Sequence, residues 1–426
     1  MLGSSGLPGE RQPPQRRVET RVIVAGGSLG GLNAALWLRD VGCDVEIYER
    51  SRSPLEGRGA GIVLHPATIR YFTRHRLLDI GRISAPARWV RYLEPSAIVA
   101  HEEPCRYRFT SWTTLYRALL GCFPRDRYHT GEEVIGFDGN AGGVHLHLES
   151  GRRARCDLLV CADGTLSTAR RVLLPNATPQ YAGYVGWRGT VEERELTSET
   201  FAALQESILY FLLPNSHILA YPIPDVDGSR TPGRPINWVW YRNVAEGPDL
   251  DDLMTDRNAT RQVVSLPPGL VQDRHVRDLR EAAAELLPRP LAEMVMKTAR
   301  PFVQAVVDVE VARMTFGRIC LIGDAAFTLR PHAAAGTAKA AEDAWKLAEA
   351  VKACAGNVSA ALQQWEPGQL ALGRGVLART REAGNRLQFE GTWRVGDPLP
   401  FGLYEAGDSV GPDIDERTPL AREERS

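Results

Sequence analysis

Six consecutive residues, Gly26-Gly27-Ser28-Leu29-Gly30-Gly31, are the first in this chain whose types and spacing could do chemistry. They follow an apolar run, Arg21 to Ala25 (RVIVA), and precede a helical pattern through Leu32–Val41. Where a strand meets a helix in this way, glycines let the backbone turn tightly, approach a pyrophosphate and pack helix against strand. The open N–H groups and the positive dipole end of the helix then favour phosphate. Ser28 stands where the strict Gly-x-Gly-x-x-Gly pattern has its middle glycine, so the pattern is broken, although a serine hydroxyl can donate to a phosphate oxygen. Gly26, Ser28, Leu29 and Gly31 are the candidate contacts; a glycine turn without a ligand is the alternative. Glu49, with Arg50 beside it, ends a second strand at Asp44–Tyr48 (DVEIY). A carboxylate there accepts hydrogen bonds from a ribose and disfavours a 2′-phosphate, which points to FAD or NAD over NADP.

Two later carboxylates stand at strand ends. Asp163-Gly164 closes the run DLLVC (Asp157–Cys161), and Gly323-Asp324 closes ICLI (Ile319–Ile322). In an open α/β sheet the ligand binds at the carboxyl ends of the strands, next to such turns. Asp324 can hold a ribityl hydroxyl. Pro331 and the small residues through Ala335 and Gly336 let backbone approach a flat ring, and the next helix aims its dipole at that ring. Either dipeptide alone is also compatible with an ordinary turn. A glycine turn, a DG and a GD in that order across 300 residues are a much stronger sign.

These positions need a scaffold. Strand, helix and strand over the first thirty residues of pattern make a β-α-β unit of a doubly wound α/β domain. The helix predicted through Thr337–Val351 carries Ala338, Ala341, Trp345 and Ala348 on one face, with Lys339, Glu342, Lys346 and Glu349 on the other. From Tyr181 to Trp240 the chain is instead rich in aromatic and β-branched residues, which predicts antiparallel strands. The α/β signals flank that stretch, so the nucleotide-binding domain is expected to be discontinuous. The reading assigns 18–80, 105–180 and 300–355 to it, 81–104 and 181–299 to a substrate domain, and 356–404 to a C-terminal helical segment. Residues 1–17 and 405–426 read as tails.

Composition limits the function classes. Of 426 residues, 51 are basic and 52 acidic, a net charge of −1, so the basic excess of a nucleic-acid binder is missing. No apolar run reaches the length of a membrane span. Seven cysteines form no Cys-x-x-Cys pair and suggest neither a zinc site nor a disulfide frame. A soluble cytoplasmic protein with no bound metal is expected, and a homodimer is compatible with it.

The segments GGSLGGL, GRGAGIVLHP (57–66), YAGYVGWRG (181–189) and GDAAFTLRPHAAAGTAKAAEDA (323–344) resemble the single-component FAD-dependent aromatic hydroxylases of the para-hydroxybenzoate hydroxylase fold. Within them the likeness is greatest to the 2,6-dihydroxypyridine 3-hydroxylase-like subgroup, where serine at position 28 is part of the pattern. The resemblance implies a Rossmann-like FAD domain with an inserted antiparallel-sheet substrate domain. It also implies NAD(P)H as a transient reductant, and O2 activated at the flavin C4a position to hydroxylate a phenol- or hydroxypyridine-like ring. It places Arg58 near the flavin, Arg117 on FAD from a helix, and Glu133-Val134 beside the adenine. By themselves, Arg58 and Arg117 read more readily as surface ion pairs.

His217 lies in HILAYP, a spacing similar to that of salicylate-type hydroxylases, and on a strand it shares a face with Tyr221. His65 follows GAGIVL and His332 lies in the RPH turn, so each is a further candidate base or a structural histidine. An imidazole titrating near neutrality suits removal of a ring-hydroxyl proton. Tyr184, Trp187, Tyr210, Phe211, Trp238, Trp240 and Tyr241 are expected to divide between core and pocket. The competing readings are a flavin-dependent halogenase, an epoxidase or Baeyer–Villiger enzyme, and a flavin-binding protein without turnover. Against the first, Trp238-Val-Trp240 is followed by Tyr-Arg and lacks the Ile-Pro of the halogenase signature.

Overall fold

Val22 to Ala25 are buried on both faces of the strand, which is why this run is continuously apolar and not alternating. In the computed structural model, which describes residues 20–53, 55, 61–140, 142–225 and 234–408, Arg21–Ala25 lies between Asp44–Glu49 and Leu158–Cys161. Both pairings are parallel, and Tyr128–Thr130 and Ile319–Leu321 extend the sheet on either side. The short strand Thr315–Phe316 adds an antiparallel edge, giving six strands. The first helix, Leu29–Asp40, starts three residues before the periodicity predicts, because Gly30 and Gly31 carry no apolar signal yet occupy its first turn. It packs against Gly336–Ala353, and both helices are largely buried.

The helix Gly336–Ala353 corrects one expectation. Lys346 and Glu349 are exposed as predicted, but Lys339 and Glu342 are fully buried. Further helices cover what the sequence presents as an outer face, and each charge is paired: Lys339 Nζ with Asp343 at 2.6 Å, Glu342 with Arg70 at 2.5 Å.

A nine-stranded sheet forms the second layer, running in the order Ser265–Leu266, Phe302–Asp308, Gln180–Glu192, Pro235–Asn243, Ser216–Pro222, Ser207–Leu213, Ala85–Leu93, Val99–Ser111 and Gly61–Val63. It takes in Gly61–Val63, all of Val99–Ser111 and Phe302–Asp308, which the sequence reading gave wholly or in part to the nucleotide domain. Those strands are too short or too mixed in polarity to reveal their partners, which lie far away in sequence. One face of the sheet packs Trp187, Phe211, Trp238 and Trp240 into a core with the helices Asp273–Leu286 and Arg289–Lys297. The other face presents Tyr184, Tyr210 and Tyr241 with Tyr221. Strand alternation thus splits the aromatic set in two.

Among the described residues no helix is long and apolar enough to cross a membrane. The seven cysteines form no disulfide with one another. Residues 1–17 and 409–426 lie outside the described residues, but the predicted C-terminal tail begins with an ordered turn. There the Asp408 carboxylate accepts from the N–H groups of Leu403, Tyr404 and Glu405 at 2.5, 2.5 and 3.0 Å.

Candidate active site

The glycine turn is built by contacts that leave no room for side chains. Gly26 has φ +100°, and a Cβ there would lie 2.4 Å from the Ala162 carbonyl oxygen; one on Gly31 would lie 1.9 Å from the Gly26 oxygen. Gly27, which the sequence reading left unassigned, is equally constrained, because a Cβ would meet the Tyr128 hydroxyl at 2.2 Å. That hydroxyl donates to the Gly27 carbonyl at 2.9 Å. Glu49 is buried and accepts from the N–H groups of Gly27 and Ser51 at 2.8 and 2.9 Å, so it also fastens the turn to the second strand. Ser28 caps the helix without a side-chain hydrogen bond, leaving its hydroxyl for a ligand.

A cleft of about 210 Å³ opens over this turn, lined by Gly26, Ser28, Glu49, Arg50, Val134 and Asp163. Tyr48, Leu55, Trp112, Phe137 and Leu166 are also on its wall. The sequence reading missed these five, because they come from separate elements and carry no shared motif. Asp163 Oδ2 accepts from the Ala169 N–H at 3.1 Å, while Oδ1 is buried with no partner. An orphan acceptor on a cleft wall fits a hydroxyl-bearing ligand such as a ribose or ribityl chain. Arg117 stands exposed on the helix Trp112–Gly121 and is not on this wall; Trp112 of the same helix is. Arg58 lies outside the described residues.

A second cavity of about 440 Å³ shares Ser28, Trp112, Ala162 and Gly164 with the first, so the two adjoin. Its floor is the turn at Gly323-Asp324 and the loop that follows, with Leu29, Pro331, Ala335 and Gly336 among the lining residues. Gly323 has φ +56°, and a Cβ there would lie 2.9 Å from that of Ala340. The Gly323 N–H donates to Asp343 Oδ2 at 2.9 Å, the atom that also takes Lys339 Nζ. Arg170, fully buried, donates to the carbonyls of Ala177 and Ala325 at 2.9 and 3.0 Å and to that of Thr165. It therefore staples the DG turn to the GD turn, a role that one arginine among many does not advertise in sequence. Asp324 opens onto the cleft, yet the surrounding protein desolvates its carboxyl and pushes it up to about 6, against the pull of Lys339 and Arg170.

The far wall belongs to the nine-stranded sheet, which is antiparallel except where Ser207–Leu213 pairs parallel with Ala85–Leu93. His217 and Tyr221 both line it from the strand Ser216–Pro222, as the spacing predicts. The His217 ring stacks on Tyr241 with centroids 4.7 Å apart, and its Nδ1 lies 2.7 Å from the Gln388 amide. Gln388 is on the π-helical turn Arg386–Glu390 that ends the long helix Val358–Asn385. Trp393, Leu399, Pro400 and Phe401 follow it over the cavity. His332 sits 5.4 Å from His217, ring to ring, and its Nε2 lies 2.7 Å from the Tyr184 hydroxyl.

The structure corrects two expectations about these histidines. Burial lowers His217 to about 3 and His332 well below its ordinary value, so neither titrates near neutrality in the free protein. His65 is not on the cavity wall. It is buried with Nε2 2.9 Å from the Ala334 carbonyl, so it braces the loop at its left-handed residue, Ala334, where φ is +52°. Burial lowers it to about 4.

Residues 181–308 match the family described as FAD binding domain-like. The chain is 39% identical over 385 residues to 2,6-dihydroxypyridine 3-monooxygenase of Paenarthrobacter nicotinovorans, covering 90% of this chain and 96% of that one. The solved structure of 2,6-dihydroxypyridine-3-hydroxylase from Arthrobacter nicotinovorans superposes with a TM-score of 0.86 at 37% identity, covering 95% of this chain and all of that one. An FAD-dependent urate hydroxylase of Klebsiella pneumoniae is 27% identical over 85% of this chain and 89% of its own. A salicylate hydroxylase substrate complex shares the fold, with a TM-score of 0.69 at 21% identity over 88% of this chain and 91% of that one. Fold and site together define a flavoprotein monooxygenase. Within that class the chain belongs to the FAD-dependent aromatic hydroxylases, in the 2,6-dihydroxypyridine 3-monooxygenase-like family.

Proposed function

We propose that this enzyme uses NAD(P)H and O2 to hydroxylate a small phenol- or hydroxypyridine-like ring in the cytoplasm, where its seven cysteines, none in a disulfide with another, would stay reduced. The observation that carries the reading is the pair of adjoining cavities, one over the glycine turn with Asp163 on its wall and one lined by Asp324, His217 and Tyr221. Gly26, Ser28, Leu29, Gly31, Glu49, Arg50, Val134 and Asp163 would hold the adenosine and pyrophosphate of FAD. Gly323, Asp324, Pro331, Ala335 and Gly336 would hold its ribityl chain and ring. When bound, FAD supplies two-electron chemistry with the nicotinamide and activation of O2 for transfer of one oxygen atom to the ring.

The chain's own part is to bind, orient and deprotonate. His217 is neutral in the free protein, the form a base requires, and Gln388 sets which nitrogen can act. The Gln388 amide nitrogen faces Nδ1 at 2.7 Å and donates to it, which fixes the position and tautomer of the imidazole. Tyr221 stays protonated because burial raises its pKa, so it can donate to a ring oxygen. Trp393, Leu399, Pro400 and Phe401 add an apolar wall to the cavity, against which a flat ring can pack. The test is to follow NAD(P)H consumption by the yellow protein with 2,6-dihydroxypyridine and a panel of phenols, with 18O2 and mass spectrometry of the products. Incorporation of one labelled oxygen into a ring is expected. A flavin that NAD(P)H never reduces, with every ring tried, would refute the reading.

A further inference from the structure

Arg188 stands on the strand Gln180–Glu192, with Val239 opposite it on one side and Phe302 on the other. It lines the second cavity together with Leu219, Tyr221, Val239, Tyr241 and Gln304. Its Nε is buried and has no hydrogen-bond partner, and the guanidinium makes no ion pair among the described residues. Its charge is felt at the hydroxyls of Tyr221 and Tyr241, whose pKa values it pulls down against the effect of burial. The other guanidinium on this lining is already committed. Arg330 contacts Asp308 at 3.0–3.1 Å and Asn385 at 3.0 Å, and Arg381 shares the same carboxylate. Asp324, the carboxylate on the lining, does not pair with Arg188.

A guanidinium held at a cavity wall without a counter-charge loses hydration and gains nothing in return. It is always ionised, and its planar fork of donors matches two oxygens of one anion. We propose that Arg188 anchors an anionic oxygen of the substrate, either a carboxylate or a deprotonated ring hydroxyl, and that the cavity thereby selects rings that carry one. This rests on the reading of the chain as a ring hydroxylase. It also explains how a weakly basic histidine can serve there. Proton removal by His217 is uphill unless the oxygen left behind is stabilised, and a nearby guanidinium stabilises the anion without affecting the neutral form.

The test uses the FAD-loaded enzyme and reads binding from the change in flavin fluorescence. Three probes separate the two sources of anionic oxygen: 2-hydroxybenzoate carries a carboxylate, 2,6-dihydroxypyridine only ring hydroxyls, and anisole neither. Arg188→Gln is expected to weaken at least one of the first two on the order of 10²-fold and to leave anisole within about threefold. Which probe suffers identifies the group that Arg188 holds. Arg188→Lys, which keeps the charge but loses the fork, should fall between. FAD content and melting temperature check the fold, and without substrate the Gln variant should melt no lower than wild type, because it sheds an unpaired charge. If both variants bind all three probes as wild type does, or weaken all three equally, the inference fails while the hydroxylase reading stands. If the wild type hydroxylates no ring, both fail together.

Discussion

Acid should destabilise this protein through three histidines. His65, His217 and His332 are buried, with pKa values lowered to about 4, about 3 and well below the ordinary value. Because the folded values lie below the unfolded one, near 6.5, the unfolded chain takes up protons first. Stability is therefore lost as pH falls through 6.5, and the loss levels off only near the folded values. Each histidine contributes a slope of up to about 1.4 kcal/mol per pH unit. Between pH 7 and pH 5 that amounts to about 2 kcal/mol each and about 6 kcal/mol for the three. Against a typical net stability of about 5–15 kcal/mol, this is a large fraction. Asp324, pushed up to about 6, acts in the opposite sense, but its opening onto the cleft keeps the offset small. The assay is proton uptake on transfer to concentrated guanidinium chloride at pH 5 in weak buffer, which requires no two-state assumption. His217→Asn should take up about one proton fewer than wild type, and its denaturation midpoint should fall less between pH 7 and pH 5. Equal uptake by the two proteins would mean that His217 is already charged in the native state, and the account of the cavity as a neutral pair of imidazoles would be wrong.

Three further outcomes are expected. His217→Ala should keep its FAD and lose hydroxylation by roughly 10²–10⁴-fold, with more NAD(P)H consumed per product formed; an unchanged rate would move the base to His332. Gln388→Glu places a carboxylate against His217 and raises its pKa, so the base becomes protonated over a wider range. The rate at neutral pH should fall and then climb with pH, an acid limb that the wild type lacks in that range. Asp324→Ala should release FAD more readily, measured by fluorescence after ultrafiltration, and equal retention would displace the ribityl chain from the GD turn.

Four strands of the parallel sheet were legible as short apolar runs, three of them ending next to a glycine turn, whereas Tyr128–Thr130 and Thr315–Phe316 are too short to leave a pattern. The pairing of His217 with Tyr221 was legible for a similar reason, since period-2 alternation alone puts them on one wall. Other parts depend on contacts with no local trace. Gln388 reaches His217 across 171 residues, and Arg170 reaches Ala325 across 155. Lys339 and Glu342 have the sequence pattern of an exposed face, and only the covering helices and their partners Asp343 and Arg70 make them interior. Arg188 was quoted as part of a motif without a role, because whether an arginine has a counter-charge can be seen only in three dimensions.

The parallel sheet also constrains biosynthesis. Val22 pairs with Leu158, and Leu159 pairs with Ile319, so two successive parallel pairings on that side of the sheet join strands far apart in sequence. The ribosome must therefore deliver about three quarters of the chain before the GD turn can meet the glycine turn. At about 5–20 residues per second, Arg21–Ala25 waits roughly 7–27 seconds for Leu158–Cys161, and that strand waits about as long again for Ile319–Leu321. Throughout that interval its apolar run can find partners only in incomplete intermediates, the condition under which exposed strands aggregate. Flavin capture is then a late event in synthesis, and the yield of active protein should depend on temperature and chaperone supply more than on the amount of FAD in the cell.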